Sequence, residues 1–206
     1  MKKTVQFIIV SVLMAGALLG FYFFYPHVWG EVLYPLEYRD YIKKYSQEYS
    51  LDPNLVCAVI YTESRFNADS GSGAGAKGLM QIMPATGRGI SERIGDSSMG
   101  NLLDAETSIR YGTFHLREQL DEYNNDLDLV LASYNAGGGR AVAWRLYGEA
   151  LPRETVGYIY KVKNIKQTYD AVYGKWWAEP EVQKPNPFYK GIENFQTFVG
   201  SLITGK

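Results

Sequence analysis

The sequence is poor in the residues that build disulfide frameworks and metal sites. Among its 206 residues are one cysteine, Cys57, and two histidines, His27 and His115. A single cysteine forms neither a disulfide within the chain nor a thiolate metal site, and its apolar neighbours predict a buried, inert thiol. Two histidines without ligand-like spacing argue against a histidine metal cluster and a Ser/His/Asp triad. We therefore expect no metal ion and no cofactor.

The sequence also lacks an excess of charge of either sign. It has 21 Lys and Arg against 22 Asp and Glu, a formal net charge of −1, so nothing favours nucleic acid as a partner. The chain is instead rich in hydrophobic residues (46%) and aromatic residues (15%), as expected of a folded domain. Tyrosines and tryptophans with balanced charge suit a groove for sugar rings, although tyrosines spread through core and surface explain the composition equally well.

One long uncharged segment lies near the N-terminus. After Lys2 and Lys3, 21 residues from Val5 to Tyr25 carry no charge and end in aromatic residues. As a helix this segment would span roughly 30 Å, the thickness of the hydrocarbon core, and it is longer than the apolar region of a cleavable signal peptide. We predict a cytoplasmic segment over 1–4 and a transmembrane helix over 5–25. The chain would then cross the cell membrane once. The residues after Tyr25 would lie on its outer side, in the cell wall or periplasm.

The remainder of the chain shows weak strand signals and recurring helical patterns, so the predicted fold class is mainly α. Asp52 followed by Pro53 predicts the start of a helix that ends at about Glu63, and Asp104 and Asp126 predict two further starts. Other helices are predicted over 36–49, 78–87 (interrupted near Pro84), 140–147 and 155–173. We assign 26–35 to a linker, 36–177 to a domain and 178–206 to a C-terminal extension, with a candidate closing helix at 194–203.

Glu63 is the first residue that points to chemistry. It follows Val59 by four residues and Ile60 by three, on the apolar side of its predicted helix. Burial among apolar groups raises the pKa of a carboxyl group and keeps its proton near neutral pH, as a general acid that protonates a glycosidic oxygen requires. A structural glutamate paired with Arg65 accounts for the same position equally well.

A run of small residues follows Glu63. Four of the eight residues from Gly71 to Gly78 are glycine, so the backbone can approach a ligand closely and offer it N–H and C=O groups. A flexible surface loop is the alternative interpretation.

Four motifs in this part of the chain resemble those of one family. They are ESRFN (63–67), GLMQIMP (78–84), ASYNAGGGR (132–140) and LPRETVGYIYKV (151–162). Their order, and the 18-residue step from Glu63 to Gln81, resemble the lytic transglycosylases of the soluble-lytic-transglycosylase type, which have a goose-lysozyme-like catalytic domain. The resemblance covers roughly residues 36–173. It departs from the family at GSGAGAKG, where the family has a bulkier segment, and at the triple glycine after Ala136, where Gly-Pro-Gly is common.

The resemblance implies a lysozyme-like, multi-helix domain and assigns roles by position. Glu63 is the implied catalytic residue, a single acid/base. The implied substrate-binding residues are Ser72, Gln81, Met83, Tyr134, Asn135, Glu154 and Tyr158. Of these, the Tyr134 hydroxyl is expected near the acid and Asn135 near the N-acetyl group of the sugar, with Glu154 and Tyr158 in the wall of the cleft.

The function that the resemblance implies is a peptidoglycan lyase. It would cleave the β-1,4 bond between N-acetylmuramic acid and N-acetylglucosamine and leave 1,6-anhydro-N-acetylmuramic acid. One acid suffices if the C6 hydroxyl of the muramic acid residue replaces the second carboxylate of ordinary glycosidases. The alternatives are a lysozyme-like hydrolase and a non-catalytic glycan-binding envelope module. The expected partners are glycan strands and the membrane, and a role beside an envelope or secretion machinery is left open.

Overall fold

A computed structural model of the chain describes residues 2–28, 30–97 and 99–177. The predicted C-terminal extension, with its candidate closing helix, lies outside these residues. The chain divides into two compact units, Met1–Trp29 with Ala178–Lys206, and Gly30–Trp177. The described element of the first unit is helix α1, Lys2–Val28. Among the described residues no helix combines the length and the apolar character needed to cross a membrane, so the anchor predicted over 5–25 is not confirmed.

The second unit is built from helices, which confirms the prediction of a mainly α fold. Between residues 30 and 177 the described chain contains no β-strand, only isolated β-bridges that join Lys77 to Gly71 and to Ile82. In chain order the helices are α2 (Gly30–Leu33), α3 (Arg39–Glu48), α4 (Pro53–Glu63), α5 (Pro84–Arg93), α6 (Ala105–Glu122), α7 (Leu127–Ala136), α8 (Gly138–Tyr147) and α9 (Arg153–Tyr173).

Three predicted helix starts are confirmed by their capping hydrogen bonds. The side chain of Asp52 accepts from the backbone N–H of Asn54 at 2.9 Å, and Pro53 occupies the first turn of α4. Asp104 and Asp126 accept from N–H groups in the first turns of α6 and α7, at 2.9 and 3.3 Å. These bonds satisfy donors that have no partner inside a helix, which is why aspartate marks the starts.

The helix predicted over 78–87 is wrong in its first half. Lys77 and Ile82 exchange two backbone hydrogen bonds of 3.1 and 3.0 Å, which close a turn. Within this turn Gly78 has φ +78° and Gln81 has φ +47°, left-handed conformations that no right-handed helix contains. Pro84 begins α5 and does not interrupt a helix, because its fixed φ suits a first turn and its missing N–H is not needed there.

The helix predicted over 36–49 begins later and is shorter. Tyr38 has φ +52°, so the right-handed helix α3 starts only at Arg39. The segment before it is held to the domain by three tyrosine hydroxyls. Tyr61, Tyr169 and Tyr173 donate to the backbone carbonyls of residues 33, 35 and 34 at 3.0, 2.8 and 2.9 Å, so part of the predicted linker packs within the Gly30–Trp177 unit.

Helix α4 forms the centre of the core. All its residues from 54 to 60 are buried, as expected of a helix surrounded by others, and α9 packs along it. Cys57 is fully buried, as predicted, and burial raises the pKa of its thiol. The packing of α4 against α9 brings the C-terminal end of α4, where Glu63 lies, against the first turns of α9.

Candidate active site

Glu63 lies at the last position of α4, where the chain leaves the helix abruptly. Arg65 and Phe66 follow with φ of +52° and +63°, two successive left-handed residues that prevent the helix from continuing. Such conformations cost roughly 1–2 kcal/mol per residue for L-amino acids. Phe66 offsets part of this cost because its ring is buried and packs against Tyr169, with 6.4 Å between the ring centroids. The acid is therefore held at the end of a buried helix by a strained but anchored turn.

The side chain of Glu63 is partly buried, and this decides its protonation. Desolvation raises the pKa of its carboxyl group from 4.5 to about 7, against the lowering effects of a hydrogen bond from Tyr158 and of the positive charge of Lys161. The Tyr158 hydroxyl donates to Oε1 of Glu63 at 2.6 Å. Near neutral pH the carboxyl group therefore exists in both forms, as a group that first gives and then takes a proton requires.

The alternative of a structural pair between Glu63 and Arg65 does not occur. In the described part of the chain no lysine or arginine lies within ion-pair distance of Glu63, and Arg65 is exposed. The groups that shift the pKa of Glu63 are Tyr158 and Lys161, and no second carboxylate of the described residues is among them. Within the described part of the chain, no carboxylate therefore acts on the acid.

Tyr134, near the end of α7, is the second tyrosine close enough to the acid to be affected by its charge. Its hydroxyl donates to the backbone carbonyl of Met80 at 2.9 Å, which ties α7 to the turn at 78–82. Burial, and secondarily the charge of Glu63, raise the pKa of Tyr134 well above its usual value, and the same two causes act on Tyr158. Both tyrosines therefore remain protonated hydrogen-bond donors around the carboxyl group.

Asn135 follows Tyr134 and is exposed. Its Oδ1 accepts a hydrogen bond of 2.9 Å from the hydroxyl of Thr155, a buried residue in the first turn of α9. Thr155 belongs to the motif LPRETVGYIYKV, but no role was predicted for it from the sequence. The available signal was its spacing, because residues three apart lie on the same face of a helix and Tyr158 is three residues further on.

Gln81 stabilises the loops next to the acid. Its Nε2 donates to the backbone carbonyls of Ser70 and Gly78, at 3.1 and 2.9 Å, so both side-chain N–H groups are used within the protein. The turn is further fixed by Ser108, whose Oγ accepts from the N–H of Met80 at 3.2 Å. Gln81 therefore acts on the shape of the site through the backbone around it.

In the described structure the remaining residues implied by the resemblance form no hydrogen bond with the acid. Ser72 is exposed, and its hydroxyl oxygen accepts from the N–H of Ala76 at 3.0 Å. The side chain of Met83, just before α5, is 42% exposed. Glu154 lies exposed in the first turn of α9 and forms neither a hydrogen bond nor an ion pair with any described residue. The structure thus brings Glu63, Tyr134 and Tyr158 together. Ser72, Met83 and Glu154 have exposed side chains that are not bonded to these residues.

Comparisons with known proteins agree on one family. The "Transglycosylase SLT domain" family matches residues 40–156. The chain is 36% identical over 157 residues to the "Soluble lytic murein transglycosylase" of Escherichia coli (strain K12), which covers 69% of this chain and 24% of that protein. It is 31% identical over 144 residues to the "Membrane-bound lytic murein transglycosylase C" of Actinobacillus succinogenes, covering 65% of this chain and 39% of that protein.

A solved structure shows the same similarity. Lytic transglycosylase Slt from Pseudomonas aeruginosa, in the form of an inactive mutant with a glutamate replaced by glutamine, has a TM-score of 0.63 and 28% sequence identity. The match covers 68% of this chain and 25% of that one, so the chain spans about a quarter of the length of such relatives.

Proposed function

Because the chain belongs to the transglycosylase SLT domain family, we propose that residues 30–177 form a lytic transglycosylase of peptidoglycan. Its reaction is cleavage of the β-1,4 bond between N-acetylmuramic acid and N-acetylglucosamine with formation of 1,6-anhydro-N-acetylmuramic acid. The observation that carries the proposal is the state of Glu63. This carboxyl group is partly buried at a helix end, has a pKa of about 7, and accepts a hydrogen bond from a tyrosine, while no cation of the described residues forms an ion pair with it.

The first step uses Glu63 as a general acid. Its proton passes to the glycosidic oxygen, the bond between that oxygen and C1 of the muramic acid residue breaks, and N-acetylglucosamine leaves with a free 4-hydroxyl group. Positive charge develops at C1 and the ring oxygen, and the carbonyl oxygen of the 2-acetamido group stabilises it. The hydrogen bond from Tyr158 stabilises the carboxylate that Glu63 becomes.

The second step uses the same residue as a base. The carboxylate of Glu63 takes the proton of the C6 hydroxyl group, and O6 attacks C1 of the same sugar. The 1,6-anhydro bond forms, Glu63 is protonated again, and no water is consumed. A single acid therefore completes the cycle, consistent with the lack of a second carboxylate among the groups that influence Glu63 in the described residues.

The other site residues support substrate binding in this proposal. Tyr134 and Tyr158 line the site beside the acid, and Asn135 contacts the N-acetyl group. The exposed side chains of Ser72, Met83 and Glu154 line subsites further along the glycan, and Gln81 shapes the turn between them.

A lysozyme-like hydrolase on the same fold is the second candidate, and product analysis distinguishes the two. Sacculi digested with the purified protein should release muropeptides with anhydro ends, each lighter by one water than the reducing ends that a hydrolase leaves. The Glu63→Gln variant should release neither while still binding sacculi. Retained cleavage by this variant would remove Glu63 from the mechanism, and a protein that binds glycan without cleaving it would be a binding module.

Membrane attachment is a separate part of the proposal. It is supported by the uncharged run from Val5 to Tyr25 and by the name of the Actinobacillus succinogenes relative. We infer that this run anchors the chain with the Gly30–Trp177 unit on the extracytoplasmic side. In cells that express the full chain, the protein should stay with membranes after carbonate washing, and a chain starting at residue 26 should not. Release of the full chain by the wash would contradict the anchor.

A further inference from the structure

Helix α9 offers two hydroxyl groups from one face, and each bonds a different residue of the site. Thr155 donates to Oδ1 of Asn135 at 2.9 Å, and Tyr158 donates to Oε1 of Glu63 at 2.6 Å. The two donors are three residues apart, about 4.5 Å along the helix axis at the rise of an α-helix. Thr155 is 2% exposed and Tyr158 is 8% exposed, so both hydroxyls are fixed by packing.

The bond from Thr155 determines which way the amide of Asn135 faces. A buried hydroxyl group needs an acceptor, and among the described residues Oδ1 of Asn135 is the acceptor that Thr155 reaches. Asn135 is exposed, and with Oδ1 occupied by Thr155 the two donors of Nδ2 remain for a ligand. In the described part of the chain Nδ2 has no partner. In the reverse orientation Nδ2 would donate to the Thr155 hydroxyl, which would then need another acceptor for its own proton.

We propose that Thr155 is a positioning residue that presents the N–H groups of Asn135 to the carbonyl oxygen of the N-acetyl group of the glycan. This inference rests on the proposed function. The acid acts at C1 of the sugar and the acetamido group stands on the neighbouring carbon C2, so the two protein groups have to be held at a fixed separation. Because both are bonded to the same rigid helix, α9 sets that separation and selects glycans that are N-acetylated at C2.

The test measures binding of two neutral oligosaccharides by calorimetry. The probes are the hexamer of N-acetylglucosamine and cellohexaose, which carries a hydroxyl group at C2. The Glu63→Gln variant of the full chain serves as the parent so that neither probe is cleaved. Adding Thr155→Val, which keeps the shape and removes the donor, should weaken binding of the N-acetylated hexamer about threefold to tenfold, the range of one hydrogen bond. Binding of cellohexaose should not change, and Thr155→Ser should restore the preference.

Asn135→Asp provides a second variant that does not depend on Thr155. Aspartate still accepts from Thr155 but cannot donate, so the preference for the N-acetylated hexamer should fall as far as in Thr155→Val. Adding Thr155→Val to Asn135→Asp should not lower the preference for the N-acetylated hexamer any further, because the two residues act as one unit. In otherwise wild-type enzyme, Thr155→Val should raise KM for N-acetylated glycan more than it lowers kcat.

Two outcomes would overturn the inference and one would overturn its premise. An unchanged ratio of the two affinities in Asn135→Asp, or an equal loss for both probes in Thr155→Val, would show that Thr155 does not act through the amide. If the Glu63→Gln parent binds neither the hexamer nor sacculi, the proposed function itself fails. Thermal unfolding of each variant separates loss of fold from loss of recognition.

Discussion

The hydroxyl of Tyr158 donates a hydrogen bond of 2.6 Å to Oε1 of Glu63, across 95 positions of sequence. This bond lowers the pKa of Glu63, whereas burial, the larger effect, raises it. The pKa of Glu63 therefore depends on its burial at the end of α4 and on one hydrogen-bond donor from α9. A mutation can change either of these two effects separately.

Replacing Tyr158 by phenylalanine should raise the pKa of Glu63 above its value of about 7. The protonated acid then persists to higher pH, and the alkaline limb of the pH–rate profile should move upward. At the optimum kcat should fall about tenfold to a hundredfold, because the carboxylate formed in the first step loses a hydrogen bond worth about 1.5–3 kcal/mol. Initial rates of muropeptide release between pH 5 and 9 measure both effects.

Tyr160→Phe is the matched control for this variant. Tyr160 lies two residues further along α9, is 66% exposed, and faces away from the acid. Its replacement should leave both the alkaline limb of the pH–rate profile and kcat unchanged. A downward shift of the limb in Tyr158→Phe would contradict the role given to the bond.

Glu63 should destabilise the fold at and above neutral pH. Its folded pKa of about 7 lies above the ordinary value of 4.5, so between these values the folded state holds a proton that the unfolded state has lost. The free energy of unfolding therefore falls as pH rises through this window, by up to about 3 kcal/mol in total. Glu63→Gln does not titrate. It should unfold at the same temperature as wild type near pH 4 and at a higher temperature at pH 8.

Equal unfolding temperatures of Glu63→Gln and wild type at both pH values would show that the carboxyl group is not desolvated in solution. A stabilised variant that is also inactive would be the expected conflict between stability and activity at a buried catalytic acid. Because the unfolding temperature and the activity are measured on the same variant, lack of activity in a stabilised Glu63→Gln protein cannot be caused by loss of fold.

How far the sequence predicted this structure depends on whether the signals were local. The aspartates that start α4, α6 and α7 were identified because a cap depends on the two or three residues that follow it. The mainly helical fold was predicted from recurring helical patterns, and the family from four motifs, and the comparisons confirm the family. The roles of the individual substrate-binding residues stay predictions.

The features that the sequence did not predict depend on contacts between distant residues. The turn at 78–82 was predicted as the first part of a helix, whereas Gln81 has a left-handed φ and its side chain bonds the carbonyl of Ser70, eleven residues earlier. Whether Glu63 paired with Arg65 or faced a cleft was undecidable, because its partner Tyr158 is 95 residues away. Thr155 was missed for the same reason, since its partner Asn135 lies 20 residues earlier.

Gly73 and Gly78, in the segment that follows α4, should respond differently to alanine. A Cβ at Gly78 would overlap the carbonyl oxygen of Leu102 and lie 2.7 Å from Oγ of Ser108, at a φ of +78° that alanine disfavours. Gly78→Ala should therefore lower the free energy of unfolding by about 2–4 kcal/mol and abolish activity. A Cβ at Gly73 meets no atom within 4 Å, so Gly73→Ala should keep its stability. Denaturant unfolding measures both. A rise in KM for Gly73→Ala without loss of stability would support close approach of glycan to that loop. Equal losses of stability in the two variants would contradict the different surroundings of Gly78 and Gly73.

The segment before α3 should contribute to the stability of the domain. The hydroxyl of Tyr169, a fully buried residue, donates to the carbonyl of Pro35 at 2.8 Å. A chain of residues 36–177 loses this acceptor, and a buried unsatisfied hydroxyl group costs about 1–3 kcal/mol. We expect residues 30–177 to unfold at a higher temperature than residues 36–177. Tyr169→Phe should reduce the difference, and equal unfolding temperatures would show that the segment does not support the domain.

The most direct test of the central claim is digestion of sacculi in water enriched in heavy oxygen, followed by mass spectrometry of the new glycan ends. If Glu63 alone drives attack by the C6 hydroxyl group, the released muropeptides carry anhydro ends and no label from the solvent. Reducing ends that contain one heavy oxygen per cleaved bond would show that water is the nucleophile and would contradict the account.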